Sequence, residues 1–172
     1  MKKFFYIMAG LAIVLLVLYT YLGGFTAPEV TVTTSKTIYM AGQPYQGSIE
    51  DEALGKAFQR AAQVLEKKEL DGVPGNIYYN DPDKSGDSLR AFIGVIIPDS
   101  GVTLPEGYEL RTVQGGRQVV HVEVNANVAI SPKKLYKAVF DYAKEKNLKL
   151  EEFYVEWFPE SDRGVVEVPV KE

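Results

Sequence analysis

Between Lys3 and Glu29 the chain carries no charge at all. The uncharged run, Phe4 to Pro28, is 25 residues long, and its centre reads Leu11, Ile13, Val14, Leu15, Leu16, Val17 and Leu18. About 20 apolar residues in a helix span the ~30 Å hydrocarbon core of a bilayer. Phe4, Phe5 and Tyr6 stand at one end and Tyr19 and Tyr21 at the other, where an aromatic belt belongs. The run therefore predicts a membrane anchor, in contact with lipid over residues 4–25. A cleaved signal peptide is the competing reading. Its apolar region is usually 7–15 residues, shorter than this one, and Phe25 and Pro28 flank a poor cleavage site after Ala27. Lys2 and Lys3 precede the span and only Lys36 follows closely, so the N-terminus is expected in the cytoplasm and the rest outside it.

The anchor divides the chain into residues 1–28 and a domain of residues 29–172. Lys2 and Lys3 account for two of the 19 basic residues. From Glu29 onward 17 bases thus face 23 acids, a formal charge of -6. An acidic domain is a poor nucleic-acid binder, and no nucleic-acid partner is expected. There is no Cys and one His. Thiolate and multi-His metal sites and Cys nucleophiles are excluded, and nothing calls for a metal or a cofactor. The mean hydropathy of -0.10 averages two unlike parts.

The domain reads as a β-α-β-β unit that occurs twice. Val30–Met40 is rich in Val, Thr, Ile and Tyr and predicts one strand, broken by Gly42-Gln43-Pro44. Ser48 is the expected N-cap of a helix whose buried stripe is Leu54, Phe58, Ala61 and Leu65. Strands follow at Gly75–Asn80 and Leu89–Ile97. The second unit has a strand from Gln118 to Val128, a helix opened by Ser131-Pro132, and strands at Glu152–Phe158 and Gly164–Val170. Leu135, Val139, Tyr142 and Ala143 form its helical stripe. Asp99 to Gly116 is a connection with one weak strand. The fold class is α+β: duplicated β-α-β-β units in a pseudo-twofold antiparallel sheet, two helices on one face, and one N-terminal transmembrane helix. A pocket is expected on the opposite, concave face near the pseudo-twofold axis. Matching Pro82 to Pro159 sets Tyr79 against Glu156 in the repeat.

Three stretches of this order resemble the GyrI-like small-molecule-binding domain, the effector-binding module of certain AraC- and MerR-type bacterial activators. They are Tyr39-Met40-Ala41-Gly42-Gln43-Pro44-Tyr45, Ile77-Tyr78-Tyr79-Asn80-Asp81-Pro82, and Leu89 to Val95. Tyr154-Val155-Glu156-Trp157-Phe158 and the closing Val168-Pro169-Val170 are similar to the family's last strand pair. The resemblance spans about Val30 to Val170. It implies a cavity between the two halves, lined with aromatics, in which a glutamate of the penultimate strand recognises lipophilic cations. Glu156 matches that glutamate. Many relatives carry a Gly-Pro-Tyr-like turn in the second half, where this chain has Asn125-Ala126-Asn127-Val128.

The expected ligand-binding set is Glu156, Tyr154, Phe158, Tyr79, Tyr45, His121 and Glu123. Alternation puts Tyr154, Glu156 and Phe158 on one strand face. A carboxylate between aromatics is costly to desolvate, and a cation would relieve that cost and gain cation–π contact. The bland alternative is a solvated Glu156, or one paired with Arg90 or Lys149. His121 and Glu123 share a strand face. They permit a general-base reading, as does Glu156 with Tyr79. The Leu54/Phe58 and Leu135/Tyr142 stripes are expected in the core. Asp81 to Asp87 resembles a calcium loop but lacks its spacing and reads as a turn. With no helix-turn-helix segment in the sequence, the leading reading is a membrane-tethered small-molecule sensor or sequestering module. A scaffold for a protein partner and a small hydrolase are the alternatives.

Overall fold

The computed structural model describes residues 2–82, 84–85 and 88–171. Asp83, Gly86 and Asp87 of the calcium-like loop lie outside the described residues. Helix α1, Lys2–Tyr21, has 20 residues and a mean hydropathy of 2.1, and it buries none of its side chains in the protein. At 1.5 Å per residue it is about 30 Å long, long and apolar enough to cross a membrane.

The rest is one antiparallel sheet of eight strands and two helices. In chain order these are β1 (Glu29–Thr34), β2 (Ile38–Gly47), α2 (Glu52–Glu66), β3 (Val73–Tyr78), β4 (Leu89–Ile97), β5 (Glu109–Val113), β6 (Gln118–Val124), α3 (Ser131–Glu145), β7 (Tyr154–Glu160) and β8 (Arg163–Pro169). The sheet order is β1-β6-β8-β7-β3-β4-β2-β5. The two β-α-β-β units, β2-α2-β3-β4 and β6-α3-β7-β8, meet at the central β3·β7 pair, as the duplicated reading expects.

The predicted strand Val30–Met40 is in fact two strands. Ser35-Lys36-Thr37 interrupts it, and β1 crosses to the far edge of the other unit, where Val30 pairs with Val122. The weak strand β5 makes the reciprocal exchange and pairs with β2. These exchanges dictate the shape. β1 and β2 are six strand spacings apart, about 29 Å in a flat sheet. A three-residue connection reaches about half that. The sheet must therefore curl until its edges approach. The two connectors cross where they meet: the Ser35 N–H donates to the Arg117 carbonyl at 2.8 Å and the Gly116 N–H to the Ser35 carbonyl at 2.9 Å. A Cβ on Gly115 would lie 2.6 Å from the Thr37 nitrogen, so only glycine fits the crossing.

Gly42-Gln43-Pro44 does not break β2, because Gly42 pairs directly with Gly94 and Pro44 with Phe92. Pro44 lies beyond the end of β5, and Pro74 of β3 lies beyond the start of the β7 pairing. Each sits where its strand has one neighbour, so no ladder bond is lost. Asp51, not Ser48, caps α2 and accepts the Ala53 N–H at 2.8 Å; Ser48 accepts from Glu50 at 3.2 Å.

The helix-bearing face holds most of the core. Leu135 and Val139 of α3 pack on Val120, Val122 and Val124, and Val64 of α2 packs on Ala41 and Val95. The inside of the curl is filled by Met40, Ile77, Phe92, Val113 and Val155, with Tyr79, Phe153 and Trp157 packed against them. Arg111 covers the Phe92 ring at 4.9 Å, and Arg117 covers Phe153 at 5.0 Å.

Gly115→Ala is expected to destabilise the domain by about 1–3 kcal/mol, since backbone must move to admit the methyl group. Gly55→Ala, in an α2 position with nothing within 4 Å, is expected to stabilise by about 0.5–1 kcal/mol. Urea unfolding followed by Trp157 fluorescence measures both. Equal effects would contradict the crossing as a packing constraint.

Candidate functional site

A cavity of about 680 Å³ lies on the helix face rather than inside the curl. The face opposite the helices, where a pocket was expected, carries a smaller cavity of about 560 Å³ beside His121, Trp157 and Glu167. The middle of the concave side is packed by Met40, Ile77 and Phe92. On the convex side α2 and α3 each cover their own unit and leave a gap over the β3·β7 seam. Phe58 and Ala61 of α2 form one wall, and Val128, Pro132 and Tyr136 form the other. Asn76, Glu156, Phe158 and the bare backbone of Gly94 line it from the sheet. The size and apolar lining suit a small organic molecule.

Glu156 is 3% exposed. The Tyr136 hydroxyl donates to its Oε2 at 3.0 Å. On β3, Asn76 is its register partner and is buried too. A solvated Glu156 is thus excluded. Arg90 donates instead to the Tyr79 carbonyl at 3.1 Å. Phe58, expected in the core, is 39% exposed and presents its ring to the cavity.

The remaining expected residues divide. Phe158 lines the cavity. Tyr154 is buried on the same face, its ring tilted against that of Tyr136 at 5.7 Å, and opens onto a neighbouring hollow with Phe140. Tyr45 is on the helix face but outside the cavity, its hydroxyl donating to the Ser48 carbonyl. Tyr79, His121 and Glu123 lie on the opposite face. The β3·β7 register pairs Tyr78 with Tyr154 and leaves the Tyr79 ring tilted against Phe153 at 5.8 Å. His121 Nδ1 is 3.0 Å from Glu167, and Glu123 accepts from Arg163 at 2.7 Å. The pairing of Glu156 with Tyr79 is therefore not formed, and the carboxylate beside His121 is Glu167 rather than Glu123. Sequence reasoning missed Asn76, Tyr78 and Tyr136. Asn76 carried a signal, being a lone amide inside an apolar strand. Tyr136 carried little, because it flanks the stripe that begins at Leu135.

Burial pushes the Tyr78 and Tyr136 hydroxyls well above the ordinary tyrosine range, and the Glu156 charge adds to it. Burial also raises Tyr154, to about 12, helped by Asp81 and Glu152. Unfolded tyrosines ionise near pH ~10. Because the folded values are higher, the neutral hydroxyls contribute stability that is whole below pH ~10 and is lost as pH rises toward those values. Phenolate absorbance during an alkaline titration should show these three ionising only above the exposed tyrosines, together with unfolding. All 11 tyrosines ionising together near pH ~10 in the folded state would contradict the site as described.

Comparison with solved structures places the fold. An integron cassette protein from the mobile metagenome of Vibrio cholerae superposes with a TM-score of 0.65 at 13% identity, over 85% of this chain and 99% of that one. SAV2435, solved bound to tetraphenylphosphonium, gives 0.58 at 13% identity over 83% and 94%. The EcmrR C-terminal domain gives 0.58 at 10% identity over 84% and 98%. No curated protein matches the sequence. At these identities the likeness is one of fold. The sequence itself decides membership: with the GyrI-like small-molecule binding domain matching residues 28–169, the chain belongs to that family.

Proposed function

We propose that the chain is a membrane-anchored small-molecule sensor or sequestering module whose cavity takes lipophilic cations. The single observation that carries this is Glu156, a carboxylate 3% exposed on the floor of an apolar cavity and held there by Tyr136. A carboxylate in apolar surroundings is costly to desolvate. A cation seated above it offsets that cost, and Phe58, Tyr136 and Phe158 offer ring faces for its organic substituents, each contact worth about 0.5–2 kcal/mol. SAV2435, of the same fold, was crystallised with an organic cation of this type. Residues 1–28 serve as the retained anchor and residues 29–172 as the binding domain, with the N-terminus in the cytoplasm. The cavity's polar side chains among the described residues are Asn76, Tyr78, Lys133, Tyr136 and Glu156. These favour binding over the hydrolase reading.

Tetraphenylphosphonium and a neutral triphenylphosphine oxide, titrated calorimetrically into the full chain, test the cavity. Glu156→Gln is expected to weaken the cation about ten- to a hundredfold, the loss of one charge-assisted contact of about 1.5–3 kcal/mol, and to leave the neutral compound within a factor of ~2. Equal losses would overturn the role of Glu156. Tyr136→Phe is expected to weaken the cation less, because it removes an orienting hydrogen bond and keeps the charge. For the anchor, intact mass spectrometry of the membrane fraction should return the 19.1 kDa chain. A chain shortened at Ala27 would show a cleaved signal.

A further inference from the structure

The end of α1 is seated on the segment that walls the cavity. The Leu22 carbonyl accepts the Asn127 N–H at 2.9 Å, and the Gly24 carbonyl accepts the Lys134 ammonium. Gly23 adopts φ +78°, and a Cβ there would lie 2.7 Å from the Asn125 carbonyl oxygen and 2.8 Å from Ala126 Cα. Such contacts fit glycine alone. The seat is itself rigid: the buried Ser131 hydroxyl bonds the Ala126 and Asn127 carbonyls, both at 2.8 Å. Val128, one residue beyond the Leu22 contact, lines the cavity, as do Ala129, Pro132 and Lys133.

A 20-residue span uses up the hydrocarbon thickness, which puts Leu22 to Gly24 at the lipid–water boundary. The cavity wall at Val128 then lies at the same depth. Two surface features agree. Val128 is 44% exposed and Phe25 67% exposed, apolar groups that a headgroup layer would cover. Lys133 is exposed at the start of α3 beside the same wall, where a long aliphatic stem with a charged tip suits the lipid–water boundary.

We propose that the docked anchor holds the cavity mouth against the membrane surface, so that the site loads amphiphiles already partitioned into the bilayer rather than solutes from bulk water. This rests on the cavity being the binding site, and it narrows the ligand class to cationic amphiphiles of the lipid–water boundary. Docking acts as a concentrator. An amphiphile enriched in the leaflet meets the mouth at its membrane concentration, and Glu156 takes the head while the apolar walls take the body.

Since the chain has no Cys, Val128→Cys accepts a single bimane label in the full chain, reconstituted in nanodiscs of phosphatidylcholine and phosphatidylglycerol. Gln114→Cys, beside the connector crossing, serves as the distal control. It lies beyond the far end of β6, about 20 Å from the seat. Headgroup spin-labelled lipid is expected to quench bimane at 128 at least threefold more than at 114. Equal quenching overturns the juxtamembrane mouth whether or not any ligand binds. For loading, stopped-flow association of decyltriphenylphosphonium in the same nanodiscs is compared between the wild type and Gly23→Val, which cannot keep the seat. The variant is expected to associate at least fivefold more slowly, while tetraphenylphosphonium binds both proteins equally in detergent. That detergent measurement also verifies that the variant is folded. Unchanged association overturns loading from the bilayer. Loss of tetraphenylphosphonium binding in the wild type would instead overturn the binding reading and leave the quenching result standing.

Discussion

Two short connections that cross at one end of the sheet shape everything else. Ser35 to Thr37 and Gln114 to Arg117 each carry the chain between opposite edges, and backbone hydrogen bonds through Ser35 tie them together. Connections this short cannot span a flat eight-stranded sheet. The curl that results has an inside and an outside. The inside closes on Met40, Ile77 and Phe92, each essentially without solvent exposure. The outside carries two helices, and two helices cannot cover a convex surface without a gap. The cavity is that gap, lying over the seam where the duplicated units meet.

The position of Glu156 follows from the same geometry. It stands on the strand at the seam, on the outward side, under the edge of α3. Alternation along β7 brings Phe158 with it and sends Trp157 into the curl. Tyr136 comes down from α3 to meet the carboxylate, and Phe58 comes across from α2 with its ring partly uncovered. A charge, a hydroxyl that orients it and aromatic walls are together what recognition of an organic cation requires. His121 belongs to the other face, paired with Glu167 next to Trp157. Its chemistry is separated from the cavity by the thickness of the sheet.

Much of the fold was legible in the sequence because it is written in local patterns. The long apolar helix α1, the alternating valines of β6 and the strand at Leu89–Ile97 stand as read, while α3 begins one residue earlier than expected, with Ile130 and not Ser131 at its N-cap. The exchange of edge strands was not legible. Nothing local distinguishes Val30 to Met40 as one strand from two strands at opposite edges, since the choice is made by partners far away in sequence. The cavity on the helix face was missed for the same reason. Whether a concave surface is open or filled depends on how tightly the sheet curls, and the curl depends on those partners. Glu156 and Phe158 were found because they share a strand face. Tyr79 was misplaced because matching prolines in the repeat set it against Glu156, whose strand partner is Asn76, three residues away, and an odd shift along a strand reverses the face. Phe58 looked like core because its spacing fits the helical stripe, and spacing does not say whether a neighbouring helix stands close enough to bury a ring.

The account turns on which face of the sheet receives the ligand. Nuclear Overhauser contacts between tetraphenylphosphonium and the aromatic side chains of the full chain decide it in one spectrum. Contacts to Phe58, Tyr136 and Phe158, with none to Trp157, are the expected result. Contacts to Trp157 and His121 would place the ligand against the opposite face and contradict the account.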